Sequence, residues 1–134
     1  MSFPRLVQPV LDRHCVRCHD GTAGPGKSPP SLVGTPAGEF STAYENLKPY
    51  VRWNEWGSAS IDQAVTRPGR GGATMSRLGQ ILDDAAHREV RLPEADRQRI
   101  LVWLDANVPF YGAYSEAERT AQRRGESIPP PRRQ

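Results

Sequence analysis

The sequence predicts a mainly α-helical domain of about four to five helices joined by long loops, on three observations. Apolar residues recur at helical spacing in separate stretches, no stretch alternates strongly in the manner of a strand, and Gly and Pro together supply 25 of the 134 residues. That Gly and Pro content exceeds what a compact bundle uses, so the connections are expected to be long and irregular.

In order along the chain, Phe3, Leu6, Val7, Val10 and Leu11 keep helical spacing, and Pro9 either kinks this first helix or restricts it to a start near Val7. Residues 21–36 are rich in Gly, Pro, Ser and Thr and read as a loop. Ser41 or Thr42 can cap a short helix bearing Tyr44 and Leu47, stopped by Pro49. Residues 57–74 again read as loop. Ser76 is the expected N-cap of a helix over 76–87, with Leu78, Ile81, Leu82 and Ala85 on its apolar face and His87 near its end. Pro93 and Glu94 suit the first turn of the longest helix. Its core stripe is Ile100, Trp103 and Leu104, and Asn107 and Pro109 end it. Ser115-Glu116-Ala117-Glu118 has the form of a capping box for a polar helix to about Arg124 with little to bury. The chain thus divides into a domain over 1–114 and, over 115–134, a polar helix with a Pro/Arg-rich tail or linker.

Composition narrows the function. The formal charge is +3, and residues 115–134 contribute five Arg against three Glu, which leaves only +1 for the rest. The basic balance is largely a property of the tail, and no motif for nucleic acid accompanies it, so no nucleic-acid partner is expected. No apolar run approaches the roughly 20 residues that cross a bilayer, so no membrane insertion of this segment is expected. The start, Met-Ser-Phe-Pro, has neither the charged nor the apolar region of an export signal.

The chemistry sits in Cys15-Val16-Arg17-Cys18-His19, which contains the chain's only two cysteines. C-x-x-C-H is the pattern of c-type haem attachment: two thiols add across the haem vinyl groups, and the adjacent imidazole is delivered to the iron from the same side. The expected cofactor is therefore one covalent haem c, with Cys15 and Cys18 as attachment points and His19 as an axial ligand. A thioredoxin-like redox pair would need a βαβ setting, and a structural zinc would need four ligands where the chain offers two thiols plus His14, His19 and His87. A second axial ligand separates an electron carrier from a haem that binds small molecules. His87 and Met75 are the contenders, an open sixth position is the remaining choice, and His14 reads as a helix-end or hydrogen-bonding residue. Trp53, Trp56, Trp103, Tyr44 and Tyr111 are candidates for the pocket wall or for ordinary core. Arg52, Arg70 and Arg77 could pair with the propionates.

Three strings carry a family resemblance from about Phe3 to Tyr114: F-P-x-L-V-Q-P-V-L-D-R-H-C-V-R-C-H at the start, P-G-x-x-G-A-x-x-S-R-L at 68–78, and W-L-D-A-N-V-P-F-Y-G at 103–112. They resemble the planctomycete-type cytochrome c domains. In that family the helix corresponding to 76–87 usually ends in a pair of histidines followed by Val and Leu. Here Ala86 stands at the first and His87 at the second, so the resemblance implies bis-histidine ligation by His19 and His87, with Met75 as the alternative distal ligand. It also implies a small cytochrome c-like fold around one haem, fused to a larger exported protein, which places it in the periplasm or another extracytoplasmic compartment. The expected function is an electron-transfer module, not itself an enzyme, whose partners are redox proteins or other domains of the same host chain. The competing class is a haem enzyme or gas-binding sensor with an open or weak sixth position; a zinc-stapled interaction module is the third.

Overall fold

The computed structural model describes residues 1–22, 29–52, 69, 71–87 and 89–129. The chain opens with one π-helical turn, Phe3–Val7, which runs into α1, Gln8–His14. Pro9 lies in the first turn of α1, where a missing N–H costs nothing, and the wider turn ahead of it is closed by the Gln8 N–H on the Phe3 carbonyl. Of the two effects expected of Pro9, the second holds: α-helical geometry starts beside Val7.

Pro36–Ala37 (β1) and Phe40–Ser41 (β2) form a small antiparallel ladder in register Pro36↔Ser41 and Ala37↔Phe40. Two residues per strand are too few to alternate, so no sequence pattern marks it. Ser41 then caps α2, Thr42–Leu47, its hydroxyl accepting from the Tyr44 N–H at 3.4 Å. A 3₁₀ turn, Lys48–Tyr50, carries the chain through Pro49 before Val51 becomes extended.

The next stretch departs from expectation twice. Residues 57–68 and 70 lie outside the described residues, and the end of the expected loop is helical: α3 spans Gly72–Met75. The helix expected over 76–87 ends early, since α4 covers only Arg77–Ile81. Asp83 and Asp84 close i→i−3 turns onto Gln80 and Ile81 at 3.1 Å each, and a 3₁₀ turn, Ala85–His87, follows. Two consecutive aspartates are poor in a helix interior, and Asp83 is drawn aside by the Arg97 guanidinium at 2.8 Å. Ser76 stands at the N-cap position, but its hydroxyl donates to the Gly72 carbonyl at 2.7 Å and accepts from the Arg52 N–H at 3.0 Å. It ties α3 to the segment after α2 and leaves the α4 N-terminus without a side-chain cap.

α5, Glu94–Asp105, is the longest helix, and Ile100, Trp103 and Leu104 on its inner face are each 1% exposed. It ends in two left-handed residues, Asn107 (φ 63°) and Val108 (φ 50°), with the Val108 N–H on the Trp103 carbonyl at 3.0 Å. α6, Glu116–Arg123, has the full capping box between Ser115 and Glu118. This helix does bury something: Gln122 is 3% exposed and accepts from the Gly112 N–H at 2.8 Å.

The core lies where the Phe3–Val7 turn, α1, α2 and α5 meet. Phe3 is its centre, 5.2 Å from both Tyr44 and Trp103 and 5.7 Å from Phe110, ring centre to ring centre. The fold is mainly α, with six α-helices and one two-stranded ladder among the described residues. None of those helices is long and apolar enough to cross a membrane.

Candidate functional site

The cysteine motif continues α1 as a tight turn. The N–H groups of Cys15 and Val16 both bind the Leu11 carbonyl, at 2.8 and 3.0 Å, and those of Cys18 and His19 bind the Cys15 carbonyl, at 3.1 and 3.0 Å. Three reactive side chains are thereby held on one short backbone loop. Cys15 is half-buried against the core and Cys18 is exposed, both as free thiols. Burial, and secondarily the neighbouring Cys18, pushes the Cys15 thiol pKa up. A redox-active C-x-x-C depends on the opposite shift, so this environment does not suit thioredoxin-like chemistry.

His19 Nδ1 lies 2.9 Å from the Pro30 carbonyl. A carbonyl can only accept, so Nδ1 carries the proton and Nε2 keeps a lone pair for a metal. The Leu32 N–H binds the His19 carbonyl at 2.8 Å and pins the loop that provides this contact.

His87, at the end of the 3₁₀ turn that follows the break after Ile81, lies near His19. The two rings are 6.5 Å apart between centres, with planes inclined by 25°. About 2 Å from each ring nitrogen to a metal, and about 1 Å from nitrogen to ring centre, gives a separation of about 6 Å for two imidazoles on opposite sides of one metal ion. The observed centre-to-centre separation is close to that value, and imidazole is a donor suited to iron. His87 Nδ1 is buried, with no hydrogen-bond partner among the described residues. Met75 closes α3 with 46% of its surface exposed. No group of three or more His, Cys, Asp or Glu among the described residues is arranged to hold an ion, whereas a structural zinc takes four protein ligands.

One residue of this region was not singled out in the sequence. Asp96, 6% exposed on the first turn of α5, accepts from Arg13 at 3.0 and 3.1 Å, from His14 Nε2 at 3.0 Å, and from Arg99. The His14 hydrogen bond, followed by Arg13 and then Arg99, holds its carboxyl below the usual carboxylate range. Arg13 and His14 directly precede Cys15, so Asp96 clamps the root of the cysteine turn to α5. His14 is, as its place suggested, a hydrogen-bonding residue at a helix end. The only sequence signal for Asp96 was an acidic residue in a first helical turn, which is too common to point across 82 residues.

Trp53, Trp56 and Arg70 lie outside the described residues. Trp103 and Tyr44 belong to the aromatic core, where Trp103 Nε1 donates to the Pro109 carbonyl at 3.1 Å. Tyr111 donates to the Glu39 carbonyl at 2.9 Å and accepts from Arg123 of α6 at 2.5 Å. Arg77 lies over the Tyr50 ring at 5.4 Å. No protein-family model matches this chain, and no curated protein or solved structure matches it.

Proposed function

We propose that this chain is an electron-transfer c-type cytochrome module with one covalent haem c, low-spin and ligated by His19 and His87. The single supporting observation is the opposed histidine pair, 6.5 Å between ring centres, with His19 belonging to the chain's only C-x-x-C-H motif. Cys15 and Cys18 form the thioethers. His19 is held to one tautomer and orientation by the Pro30 carbonyl, and the Asp96 clamp fixes the turn from which it projects. When bound, haem supplies a one-electron iron couple, and two imidazole ligands set its potential lower than a His/Met pair would. The haem-carrying part lies within residues 1–114, and 115–134 comprises the polar helix α6 and a Pro/Arg-rich tail or linker. The module works outside the cytoplasm as part of a larger exported protein, passes electrons to redox proteins or to other domains of that protein, and has no substrate of its own.

The test is a visible spectrum, oxidised and reduced, of protein matured by a cytochrome c export system. The expected result is a six-coordinate low-spin spectrum from haem that stays on the chain after denaturation, and a loss of low-spin character in His87→Ala but not in Met75→Ala. A denatured chain free of porphyrin refutes the reading; a low-spin His87→Ala spectrum refutes the distal assignment.

A further inference from the structure

A cleft of about 250 Å³ lies where the root of the cysteine turn meets the segment between the Ala85–His87 turn and α5. It is lined by Arg13, His14 and Arg17 from the cysteine end and by Glu89, Val90 and Arg91 from the other. Three guanidinium groups thus border one small space. Its volume is about eight times the roughly 30 Å³ share of one water molecule, room for a small ion with some of its water.

The charges around it do not cancel. Arg13, His14 and Arg99 share the Asp96 carboxylate, and Glu89 is the one acid among the lining residues. With His14 neutral, Arg13, Arg17, Arg91 and Arg99 outnumber Asp96 and Glu89 by two charges, whereas residues 1–114 as a whole carry only +1. Arg17 and Arg91 are both exposed, and neither forms an ion pair among the described residues. Arg13 makes both of its bonds to Asp96 through Nη2, so its Nε and Nη1 donors are not used there.

Guanidinium groups gathered without matching acids repel one another, and a bound anion offsets that repulsion. Each also presents its N–H groups as a flat fork that suits two oxygens of one anion, which an ammonium group does not. We infer that this cleft binds an oxyanion of two negative charges, of the sulfate or phosphate class, held between Arg17 and Arg91 with Arg13 as a third donor. None of the three is a proposed haem ligand, so the site stands whether or not the chain carries haem.

The experiment labels the full chain with nitrogen-15, matures it in a cytochrome c export system, reduces it and titrates it with sodium sulfate, exchanged for sodium chloride so that ionic strength stays low and constant. Saturable shifts of the Arg17 and Arg91 side-chain N–H signals are expected, and none of that size from nitrate, a monoanion. Hydrogen phosphate and a small phosphate monoester are titrated in the same way: a tighter free ion marks a site for the inorganic anion, a tighter ester a site for a phosphorylated small molecule, and saturation by either supports the inference. Arg17→Gln and Arg91→Gln should each weaken binding by about tenfold or more, through lost charge-assisted hydrogen bonds. Arg5→Gln removes the same charge from an exposed position on the opening turn and should change binding by less than about twofold. Shifts that rise without saturating, or a loss in Arg5→Gln equal to that in the other two, overturn the inference in favour of diffuse attraction to the net charge. Should Arg17→Gln fail to mature, Arg91→Gln against Arg5→Gln decides. A chain that emerges without haem refutes the proposed function alone, and the titration is then read on it unchanged.

Discussion

Replacing Tyr44 with Phe removes one oxygen from the centre of the aromatic core and keeps the ring. The Tyr44 hydroxyl donates to the Val108 carbonyl at 2.8 Å, between residues 5% and 1% exposed. Val108 has φ 50°, a left-handed conformation that a β-branched residue adopts only when its surroundings hold it there. Without the hydroxyl, a buried carbonyl loses a donor, at a cost of about 1–3 kcal/mol. At roughly 4 °C per kcal/mol for a chain of this size, Tm should fall by about 4–12 °C. Thermal unfolding followed by circular dichroism measures this. Tyr111→Phe is the control for removing a phenol oxygen at the half-buried contact with α6. A Tyr44→Phe protein that melts within 1 °C or so of the parent would refute the argument that this hydroxyl holds the chain reversal after α5. The same phenol is pushed up to about 12 by burial, with Glu45 adding to it. The folded state then binds its proton more tightly than the unfolded chain does. The stability this contributes is complete below about pH 10 and is lost as pH rises from there through 12.

Three further outcomes are expected. The Asp96 carboxyl is lowered on folding, so its contribution to stability is complete above about pH 4, the unfolded carboxylate value, and is lost as pH falls below it. Asp96→Asn should lower urea resistance at neutral pH and flatten the acid limb of the profile; an unchanged acid limb would remove Asp96 as its source. Gly79→Ala, which in most helices stabilises by up to about 1 kcal/mol, should instead destabilise, because the new methyl meets the Ala73 carbonyl; a rise in Tm would contradict this. In the unmodified chain, Cys18, exposed, should alkylate several-fold faster than Cys15, whose thiol is half-buried and raised in pKa; mass-spectrometric timing that finds equal rates would count against the burial assigned to Cys15.

How much was legible in the sequence depends on the range of the interactions involved. α5 and the Ser115 capping box were readable because their signals are local: an apolar stripe at helical spacing, terminators just past the end, and a side-chain cap three residues wide. The C-x-x-C-H motif was readable for the same reason. The break after Ile81 was not, since Leu78, Ile81 and Leu82 keep helical spacing up to it and the Asp83 contact with Arg97 spans 14 residues. That miss mattered, because His87 lies beyond the break, within 6.5 Å of His19 between ring centres. Asp96 was unreadable as an anchor, since its partners are supplied by α1 from the far end of the chain.

The bond between Arg13 and Asp96 closes a loop of 83 residues, and this fixes an order of events during synthesis. At about 5–20 residues per second, Arg13 is joined to the chain some 4–17 s before its anchoring carboxylate has been made. During that interval Cys15, Cys18 and His19 sit on a turn whose root has no anchor. Only the arrival of α5 locks them in place, so early freedom and later rigidity are divided between the two ends of one gene.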